Sequence, residues 1–154
     1  MNKTIAMGLV AAALLAGCEA KPSVFPSSDP ALQLTSAQYA AEAVKHFPFK
    51  TNLTPSTDQP ARALVEYSFD FMDLTNLSKQ DIPQPEIWIN RQYVLALPTI
   101  KAGEVKRLNF RMFFDDRGDH FPFNNNVEKG GVIIRQLEIA SDGKLYQVPI
   151  RLGL

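Results

Sequence analysis

The sequence predicts a mainly β protein: an antiparallel β-sandwich preceded by a short helix and a flexible tether. Apolar and polar residues alternate over several short runs after residue 60, and a period of two is typical of half-buried strands. Turn residues separate these runs at intervals typical of sandwiches. Strands and helices do not alternate along the chain, which argues against a parallel α/β sheet. Most of the aromatic side chains follow residue 60, so we expect the core there.

Composition excludes several classes of protein. Hydrophobic residues make up 45% of the 154-residue chain, which is ordinary for a globular domain and unlike a disordered protein. The 16 basic and 16 acidic side chains balance, so no global positive field attracts nucleic acid and we expect no nucleic-acid partner. The single cysteine cannot form an internal disulfide or a cysteine-rich zinc site.

Residues 1–17 have the features of a signal peptide. Lys3 supplies a positive charge, and the uncharged stretch that follows, residues 5–16, is rich in Ala and Leu. That stretch is far shorter than the ~20 residues that cross a bilayer as a helix, and it fits the apolar region of a secretory signal. We therefore expect residues 1–17 to be removed on export.

The only cysteine ends this segment, in Leu15-Ala16-Gly17-Cys18. These four residues resemble the lipobox of bacterial lipoproteins. The resemblance implies cleavage between Gly17 and Cys18, a diacylglyceryl group on the Cys18 thiol, and a fatty acid such as palmitate on the new α-amine. Several acyl chains would make the membrane attachment effectively permanent. The alternative is an ordinary secretory signal that happens to contain a cysteine.

The residue after the cysteine bears on the membrane. By resemblance to enteric lipoproteins, an aspartate there retains the protein in the inner membrane, whereas most other residues permit transfer to the outer membrane. Glu19 follows Cys18. The resemblance therefore implies a lipid-anchored protein of the bacterial outer membrane that faces the periplasm.

Residues 18–35 are predicted to form the lipidated N-terminus and its tether. They carry Pro22, Pro26 and Pro30 together with several serines. Proline at this density prevents the interior of a helix or a sheet from forming, so the segment should be semi-extended.

Residues 36–60 are predicted to be a short helix followed by a linker. Thr35 and Gln38 have the spacing of a capping box, and apolar residues then recur at helical spacing. Pro48 disfavours helical conformation in the residue before it. The helix should therefore end at His46 or Phe47.

Residues 61–154 are predicted to form the sandwich. The alternation that begins at residue 61 predicts one strand as far as residue 72, followed by a polar connection over residues 73–85. Further strands are predicted over residues 87–97, 107–114, 132–140 and 144–152.

Three turns and one proline constrain the strand order. Asn90-Arg91 and Asp142-Gly143 separate apolar runs and are expected to form hairpin turns. Residues 115–119 are rich in Asp and contain a glycine, which is typical of a turn. Pro149 should place the last strand at a sheet edge.

A second resemblance concerns this C-terminal domain. Ala102-Gly103-Glu104, a strand that ends at Phe114, and then Asp116-Arg117-Gly118 are similar to envelope proteins with immunoglobulin-like or FxLYD-type domains. In those domains a Gly-Glu, strand, Asp-x-x-Gly pattern joins two strands. The resemblance implies an immunoglobulin-like sandwich, and a fold does not fix a function.

Four aromatic residues are candidates for contact with a partner. Trp88 and Tyr93 lie in a strand-rich region, and Phe121 and Phe123 lie in a long loop, residues 121–131; aromatic side chains often anchor protein interfaces. An immunoglobulin-like sandwich also normally buries a tryptophan, so a core position is favoured for Trp88.

One acidic cluster is a weak candidate for a metal site. Asp115, Asp116 and Asp119 supply the oxygen ligands that Ca²⁺ prefers, but their spacing does not match an EF-hand and Arg117 lies among them. A plain turn is the favoured interpretation, so we predict no metal and no cofactor. The basic stretch Lys106, Arg107 and Arg111 similarly favours a solvated sheet face over a site for an anionic polymer.

No catalytic residue can be assigned. His46 and His120 lie in different segments, and the motifs of serine hydrolases, zinc proteases and nucleotide-binding enzymes do not occur. The sequence therefore predicts a protein that is not an enzyme, a lipid-anchored binding or assembly module for another envelope protein. The alternatives are a hydrolase inhibitor or small hydrophobic-ligand binder that uses residues 121–126, and an enzyme with a carboxylate site from Glu66, Asp70 or Asp115.

Overall fold

The computed structural model describes residues 29–66, 70–123 and 133–153, with only the backbone of Glu66. The predicted signal peptide, Gly17, Cys18 and most of the predicted tether lie outside the described residues. So does the part of the predicted ligand-binding loop that follows Phe123. Within the described part of the chain, no helix is long and apolar enough to span a membrane.

The described residues contain one α-helix and eleven strands. The helix is α1 (Ser36–Val44). The strands are β1 (Thr54–Ser56), β2 (Ala61–Glu66), β3 (Phe71–Asn76), β4 (Ile82–Pro83), β5 (Glu86–Ile89), β6 (Tyr93–Ala96), β7 (Thr99–Ile100), β8 (Val105–Asn109), β9 (Leu137–Ser141), β10 (Lys144–Gln147) and β11 (Ile150–Gly153).

The strands form two main sheets. The five-stranded sheet has the order β1-β10-β9-β5-β6, the four-stranded sheet has the order β11-β2-β3-β8, and β4 pairs with β7. Neighbouring strands are antiparallel except at two edges, where β1 runs parallel to β10 and β11 runs parallel to β2. Buried side chains of both sheets join in one hydrophobic core. The prediction of a mainly β, sandwich-like protein with a short N-terminal helix is confirmed.

The five-stranded sheet is covered on both faces. All four residues of β5 and all five of β9 are buried. Successive side chains of a strand point to opposite faces, so Ile87 and Ile89 lie on one face while Glu86 and Trp88 lie on the other. The ring of Trp88 is flanked edge-on by Phe47 and Phe49, each with its ring centroid 5.1 Å away. The segment after α1 therefore forms a third layer over this sheet.

Helix α1 begins as the sequence predicts. The Thr35 hydroxyl accepts a hydrogen bond from the Gln38 N–H at 3.3 Å, and the Gln38 side chain accepts one from the Thr35 N–H at 2.9 Å. This capping box satisfies two N–H groups that the helix cannot bond internally. Tyr39 and Ala43 are buried, and the helix ends at Val44, slightly before the predicted end.

The end of the predicted tether is packed against the domain. Residues Pro30–Leu32 form a single 3-10 turn in which Leu32 is buried. The Asp29 carboxylate forms an ion pair with Lys106 of β8. Residues 29–32, before α1, are therefore already packed on the domain.

The prediction of one strand over residues 61–72 is wrong. Val65 lies opposite Met72, and Ala63 lies opposite Leu74, so the chain reverses between β2 and β3. Residues that pair across two strands lie on the same face of the sheet. Each of these pairs is separated by an odd number of residues, so the buried positions have odd numbers in β2 and even numbers in β3. Met72 and Leu74 are fully buried as a result. The alternation continues through the reversal and conceals it.

The polar connection predicted over residues 73–85 begins too early. Residues 73–76 belong to β3, where Asp73 and Thr75 face outward. The Asp73 carboxylate accepts two hydrogen bonds of 2.8 Å from the guanidinium of Arg107 on β8. Polar residues on the solvent face of an antiparallel sheet are typical, which explains why composition suggested a loop.

The strand predicted over residues 107–114 is shorter than expected. Strand β8 ends at Asn109, whose side chain accepts a 2.9 Å hydrogen bond from the Arg111 N–H and begins the 3-10 turn Phe110–Met112. Phe113 is then fully buried although the alternation places it on the polar side. A 3-10 turn has three residues per turn, so a strand period does not identify its buried positions.

The hairpin predicted at Asp142-Gly143 is confirmed, but the predicted strand bounds are wrong. Strand β9 begins at Leu137, and the single strand predicted over residues 144–152 is two strands, β10 and β11, in different sheets. Asp142 and Gly143 have φ values of 49° and 73° and join β9 to β10 as a two-residue hairpin, as a type I′ turn requires. Between β10 and β11, Val148 and Pro149 carry the chain from one sheet to the other. The edge position predicted from Pro149 holds for β11, which is at an edge of the four-stranded sheet, but not for β10, which lies between β1 and β9.

Asn76 holds together three loop segments at the end of β3. It is 1% exposed, and its amide nitrogen lies 2.9–3.1 Å from the carbonyl oxygens of Gln80, Ile100 and Lys101. Its Oδ1 atom accepts hydrogen bonds from the N–H and the hydroxyl of Ser78 at 2.9 and 2.8 Å. These carbonyl groups are partly or fully removed from water, so their partners must come from the protein.

We expect Asn76→Ala to lower the free energy of unfolding by about 2–4 kcal/mol, because it leaves several buried backbone groups without partners. Leu77→Ala is the matched control: the adjacent Leu77 side chain is 53% exposed, and its loss should change the free energy by less than about 0.5 kcal/mol. Urea denaturation followed by circular dichroism measures both. Equal effects of the two substitutions would contradict the role of Asn76.

Candidate functional site

The four aromatic residues predicted to contact a partner belong to the core. Trp88 and Phe121 are each 1% exposed. Tyr93 and Phe123 are half-buried: the Tyr93 ring centroid lies 5.0 Å from that of Phe121, and the Phe123 ring stacks on Phe110 at 4.1 Å. A partner on the surface therefore cannot bind Trp88 or Phe121 directly in this fold. The core position favoured for Trp88 agrees with the structure.

The acidic cluster predicted as a weak metal candidate has the geometry of a turn. Asp115 is 5% exposed, and its Oδ1 atom accepts hydrogen bonds from the N–H groups of Arg117 and Asp119 at 3.0 and 2.9 Å. Its Oδ2 atom accepts two more from the Arg117 guanidinium. Burial raises the pKa of Asp115, but these donors outweigh it and hold the pKa below its usual range.

The other two members of the cluster are exposed. Asp116 and Asp119 lie at the surface of the turn, and Gly118 has a φ of 84°, a conformation that favours glycine. Among the described residues, no group of three or more metal-ligating side chains is placed to hold a metal ion. The polar atoms of Asp115 stabilise the loop.

The basic stretch of β8 and the turn after it is engaged in ion pairs. Lys106 pairs with Asp29 and with Glu104, and Arg107 pairs with Asp73. Arg111 lies 3.7 Å from the Asp70 carboxylate. Lys106 and Arg107 are successive residues of β8 and lie on opposite faces of the sheet, with Lys106 on the buried side, so the single solvated basic face predicted from the sequence does not form. The paired carboxylates also cancel these charges locally, which leaves no field for an anionic polymer.

The histidines and carboxylates considered for catalysis do not form one site in the described structure. Asp70 is paired with Arg111 and Asp115 with Arg117, while the side chain of Glu66 is not described. His120 is exposed, and its backbone forms an isolated antiparallel β-bridge with Phe114 beside the Asp115 turn. His46 lies in the α1 layer, beside Glu86.

Glu86 is the centre of a buried polar cluster that sequence reasoning missed. Its Oε1 atom lies 2.6 Å from Lys50 Nζ and 3.1 Å from His46 Nδ1, and its Oε2 atom accepts a 3.2 Å hydrogen bond from the indole N–H of Trp88. Burial raises the pKa of Glu86, but the hydrogen bonds from Lys50, His46 and Trp88 outweigh it and the pKa is lowered. Residues 46, 50 and 86 share no local motif, so only the fold reveals the cluster.

A cleft of about 500 Å³ opens beside this cluster. Its charged wall consists of Glu42, His46 and Glu86, and its apolar wall includes Leu34 and Leu97. The carboxylates do not favour a small hydrophobic ligand, because an apolar molecule here would cover charged groups without satisfying them.

Glu138 and Arg91 form a second buried ion pair. The Glu138 side chain has no exposure, and its two oxygens accept 2.8 Å hydrogen bonds from Nε and Nη2 of Arg91. Gln147 of β10 donates a further hydrogen bond to the same carboxylate. The Arg91 guanidinium also lies 4.8 Å from the ring centroid of Phe49. A carboxylate of the central strand β9 is therefore neutralised at the tip of the β5–β6 hairpin.

The tip of the β5–β6 hairpin has a left-handed backbone, and side-chain hydrogen bonds hold it in that conformation. Asn90 and Arg91 have φ values of 54° and 58°, where residues other than glycine are uncommon. Asn90 Oδ1 accepts hydrogen bonds from the N–H groups of Arg135 and Gln136, and its Nδ2 donates to the Ile133 carbonyl. The hairpin predicted at Asn90-Arg91 is confirmed.

In the described part of the chain, three of the four edges of the two main sheets carry features that limit further pairing. The edge of β6 is bridged by Phe114 through two backbone hydrogen bonds with Val94. Strand β1 is three residues long with Pro55 at its centre, and β8 carries the ion-paired Lys106 and Arg107. Proline, short length and charged side chains are the usual protections of strand edges.

The remaining edge strand, β11, has a different surface. It pairs with β2 on one side and has no strand partner on the other side in the described part of the chain. Leu152 is 56% exposed and Arg151 is exposed. This edge is the candidate interaction surface of the domain.

We expect Arg91→Gln to lower the free energy of unfolding by about 2–4 kcal/mol, because it leaves the Glu138 charge buried with one hydrogen-bond partner, Gln147. Arg117→Gln is the control: its side chain is 75% exposed, so water screens its ion pair and the loss should be clearly smaller than that for Arg91→Gln. Urea denaturation at neutral pH distinguishes the two. A loss of stability for Arg91→Gln no larger than that of the control would contradict the role of Arg91 in neutralising Glu138.

The lowered pKa of Glu86 predicts a pH dependence of stability. An unfolded glutamate titrates near pH 4.3, and the folded side chain titrates lower, so the unfolded state binds more protons as the pH falls below about 4.5. The stabilisation is complete above that pH and is lost as the pH falls through the folded pKa. In urea denaturation between pH 7 and pH 3, Glu86→Gln should show a smaller decline at acid pH than the wild type. Asp58→Asn, at an exposed position in the segment between β1 and β2, should keep the wild-type decline, and identical curves for all three proteins would contradict this.

The chain matches no protein-family model, no curated protein and no solved structure. The fold and the candidate site therefore rest on the residues and contacts described above. The immunoglobulin-like resemblance stays a prediction.

Proposed function

We propose that the protein is a lipid-anchored lipoprotein of the bacterial outer membrane, faces the periplasm, and acts as a non-catalytic binding or assembly module for another envelope protein. The tetrapeptide Leu15-Ala16-Gly17-Cys18 supports the anchor. The unprotected edge of β11 is the observation that carries the binding role, because an open strand edge is a ready template for another chain.

The position of the domain relative to the anchor supports contact near the membrane. Asp29 is packed on the domain, so the residues between Cys18 and Asp29 are all that separates the lipid from the domain. Even fully extended, this segment reaches at most about 40 Å. A partner in or beside the same membrane is therefore within reach of the sheet edges.

The buried charges support a non-catalytic role. The carboxylates of Glu86, Glu138 and Asp115 each bind a basic side chain of the same domain. Their hydrogen bonds hold the α1 layer, the β5–β6 hairpin and the turn at residues 115–119 in place. These interactions stabilise the fold, so the exposed surface of the strands is the part proposed to bind a partner.

In-cell photo-cross-linking of the full-length protein tests the proposal. A photo-reactive amino acid is placed singly at Leu77, Val105, Lys144 and Arg151, four exposed positions in different segments. We expect at least one position to give a discrete adduct whose partner is an envelope protein by mass spectrometry. We also expect radioactive palmitate to label the wild type and not Cys18→Ala, and the adduct to diminish in that unanchored variant.

Two outcomes would contradict the proposal. If no position gives a discrete adduct, the binding role fails. If Cys18→Ala is processed, labelled and fractionated with membranes like the wild type, the lipid anchor fails. Ser23→Ala, a substitution in the same segment that leaves the tetrapeptide intact, controls for general effects on export.

A further inference from the structure

Strand β11 exposes a defined set of backbone groups. The Ala63 N–H of β2 donates a 3.0 Å hydrogen bond to the Pro149 carbonyl, and Ile150 lies in register with Ala63. In a parallel ladder, alternate residues bond to the same neighbour. Arg151 and Gly153 therefore bond to β2, while the N–H and C=O groups of Ile150 and Leu152 point away from it.

The two faces of β11 differ in chemistry. Leu152 is in register with the buried Val65 and lies on the core side, yet its side chain is 56% exposed. Arg151 is in register with Leu64, which is 37% exposed, and lies on the outer side. A strand added at this edge would place an apolar side chain beside Leu152 and its outward side chains beside Arg151.

The charges on the outer face favour an acidic neighbour. In the row that crosses the sheet, Leu64 lies opposite Asp73, and Asp73 accepts hydrogen bonds from Nε and Nη2 of Arg107. Arg151 makes no ion pair among the described side chains; Glu66, in register with Gly153 on the same face, has a side chain outside the described residues. A glutamate or aspartate on an added strand would supply that partner.

A second copy of the chain fits this edge poorly. In an antiparallel pair, opposing residues share a face. The register that uses the free groups of both Ile150 and Leu152 then places Arg151 opposite Arg151 of the other copy. Like charges directly opposite each other destabilise a sheet. A different chain with acidic outward side chains fits the same backbone groups without this repulsion.

We infer that the free edge of β11 accepts an extended segment of a partner protein as an added strand, with an acidic side chain beside Arg151 and an apolar side chain beside Leu152. Backbone hydrogen bonds to Ile150 and Leu152 supply the pairing, and the two side chains supply the selectivity. The inference rests on the proposed binding role, and it names the surface and the chemistry of the partner.

Model peptides test the edge on the purified full-length protein in detergent. One six-residue peptide alternates valine and glutamate, and the other alternates valine and lysine. We expect the acidic peptide to bind about tenfold more tightly than the basic one at low salt, and the difference to shrink at high salt. Amide hydrogen exchange measured by NMR should show new protection at Ile150 and Leu152, while Arg151 and Gly153 are protected already.

Two substitutions separate the backbone from the side chain. Leu152→Pro removes the outward N–H and leaves the bonds of Arg151 and Gly153 to β2 intact. Leu152→Ala removes the side chain and keeps that N–H. We expect Leu152→Pro to weaken binding by about 3- to 10-fold more than Leu152→Ala. If Leu152→Pro does not fold, Arg151→Glu carries the test, since it should reverse the preference between the two peptides.

Several outcomes would overturn the inference: equal affinity for the two peptides, equal binding by the proline and alanine variants, or an unchanged preference in Arg151→Glu. Protection of Ile150 and Leu152 in the free monomer would show that the chain covers its own edge. A dimer in sedimentation that Leu152→Pro dissociates would assign the edge to a second copy. If the photo-reactive group at Leu77 gives an adduct with an envelope protein but neither peptide binds, only this inference is overturned. If a peptide binds but no position gives an adduct with an envelope protein, the proposed function is overturned.

Discussion

A carboxylate without exposure in the middle of a sheet requires a partner, and the Glu138–Arg91 pair meets that requirement. Glu138 lies on β9 between β5 and β10, so the arginine that neutralises it has to come from the end of a neighbouring hairpin. The left-handed backbone of Arg91 is maintained because the side chain is held in place by two hydrogen bonds. The hairpin tip, β9 and β10 are fixed together at one end of the sheet.

The same face explains why the protein has a third layer. Glu86, Trp88 and Glu138 share one face of the five-stranded sheet, where the indole needs apolar cover and the buried carboxylates need hydrogen-bond partners. Phe47 and Phe49 cover Trp88, while His46 and Lys50 bind Glu86. The helix and the segment after it are thereby integral to the domain. This arrangement leaves the outer side of the four-stranded sheet as the open side of the described structure.

The proposed binding role depends on which strand edges of the two main sheets are protected from further pairing. The five-stranded sheet ends at a bridged strand and at a short strand with a proline, whereas the four-stranded sheet ends at β11. Pro149 interrupts the chain between β10 and β11 and moves the last strand to the other sheet. The proline that predicts an edge strand therefore also precedes the strand whose outer edge has no strand partner in the described part of the chain.

The sequence by itself determined the strand-rich composition, the capping box at Thr35, the turns at Asn90 and Asp142, and the edge position after Pro149, because each depends on a few adjacent residues. The tetrapeptide at Cys18 is likewise local, and its lipid anchor stays a proposal. The reversal between β2 and β3 was hidden because a period of two runs through both strands. The burial of Phe121, the pairing of Glu86 with Lys50, and that of Glu138 with Arg91 were decided only by the tertiary structure, since the partners are far apart in the chain and no local pattern links them.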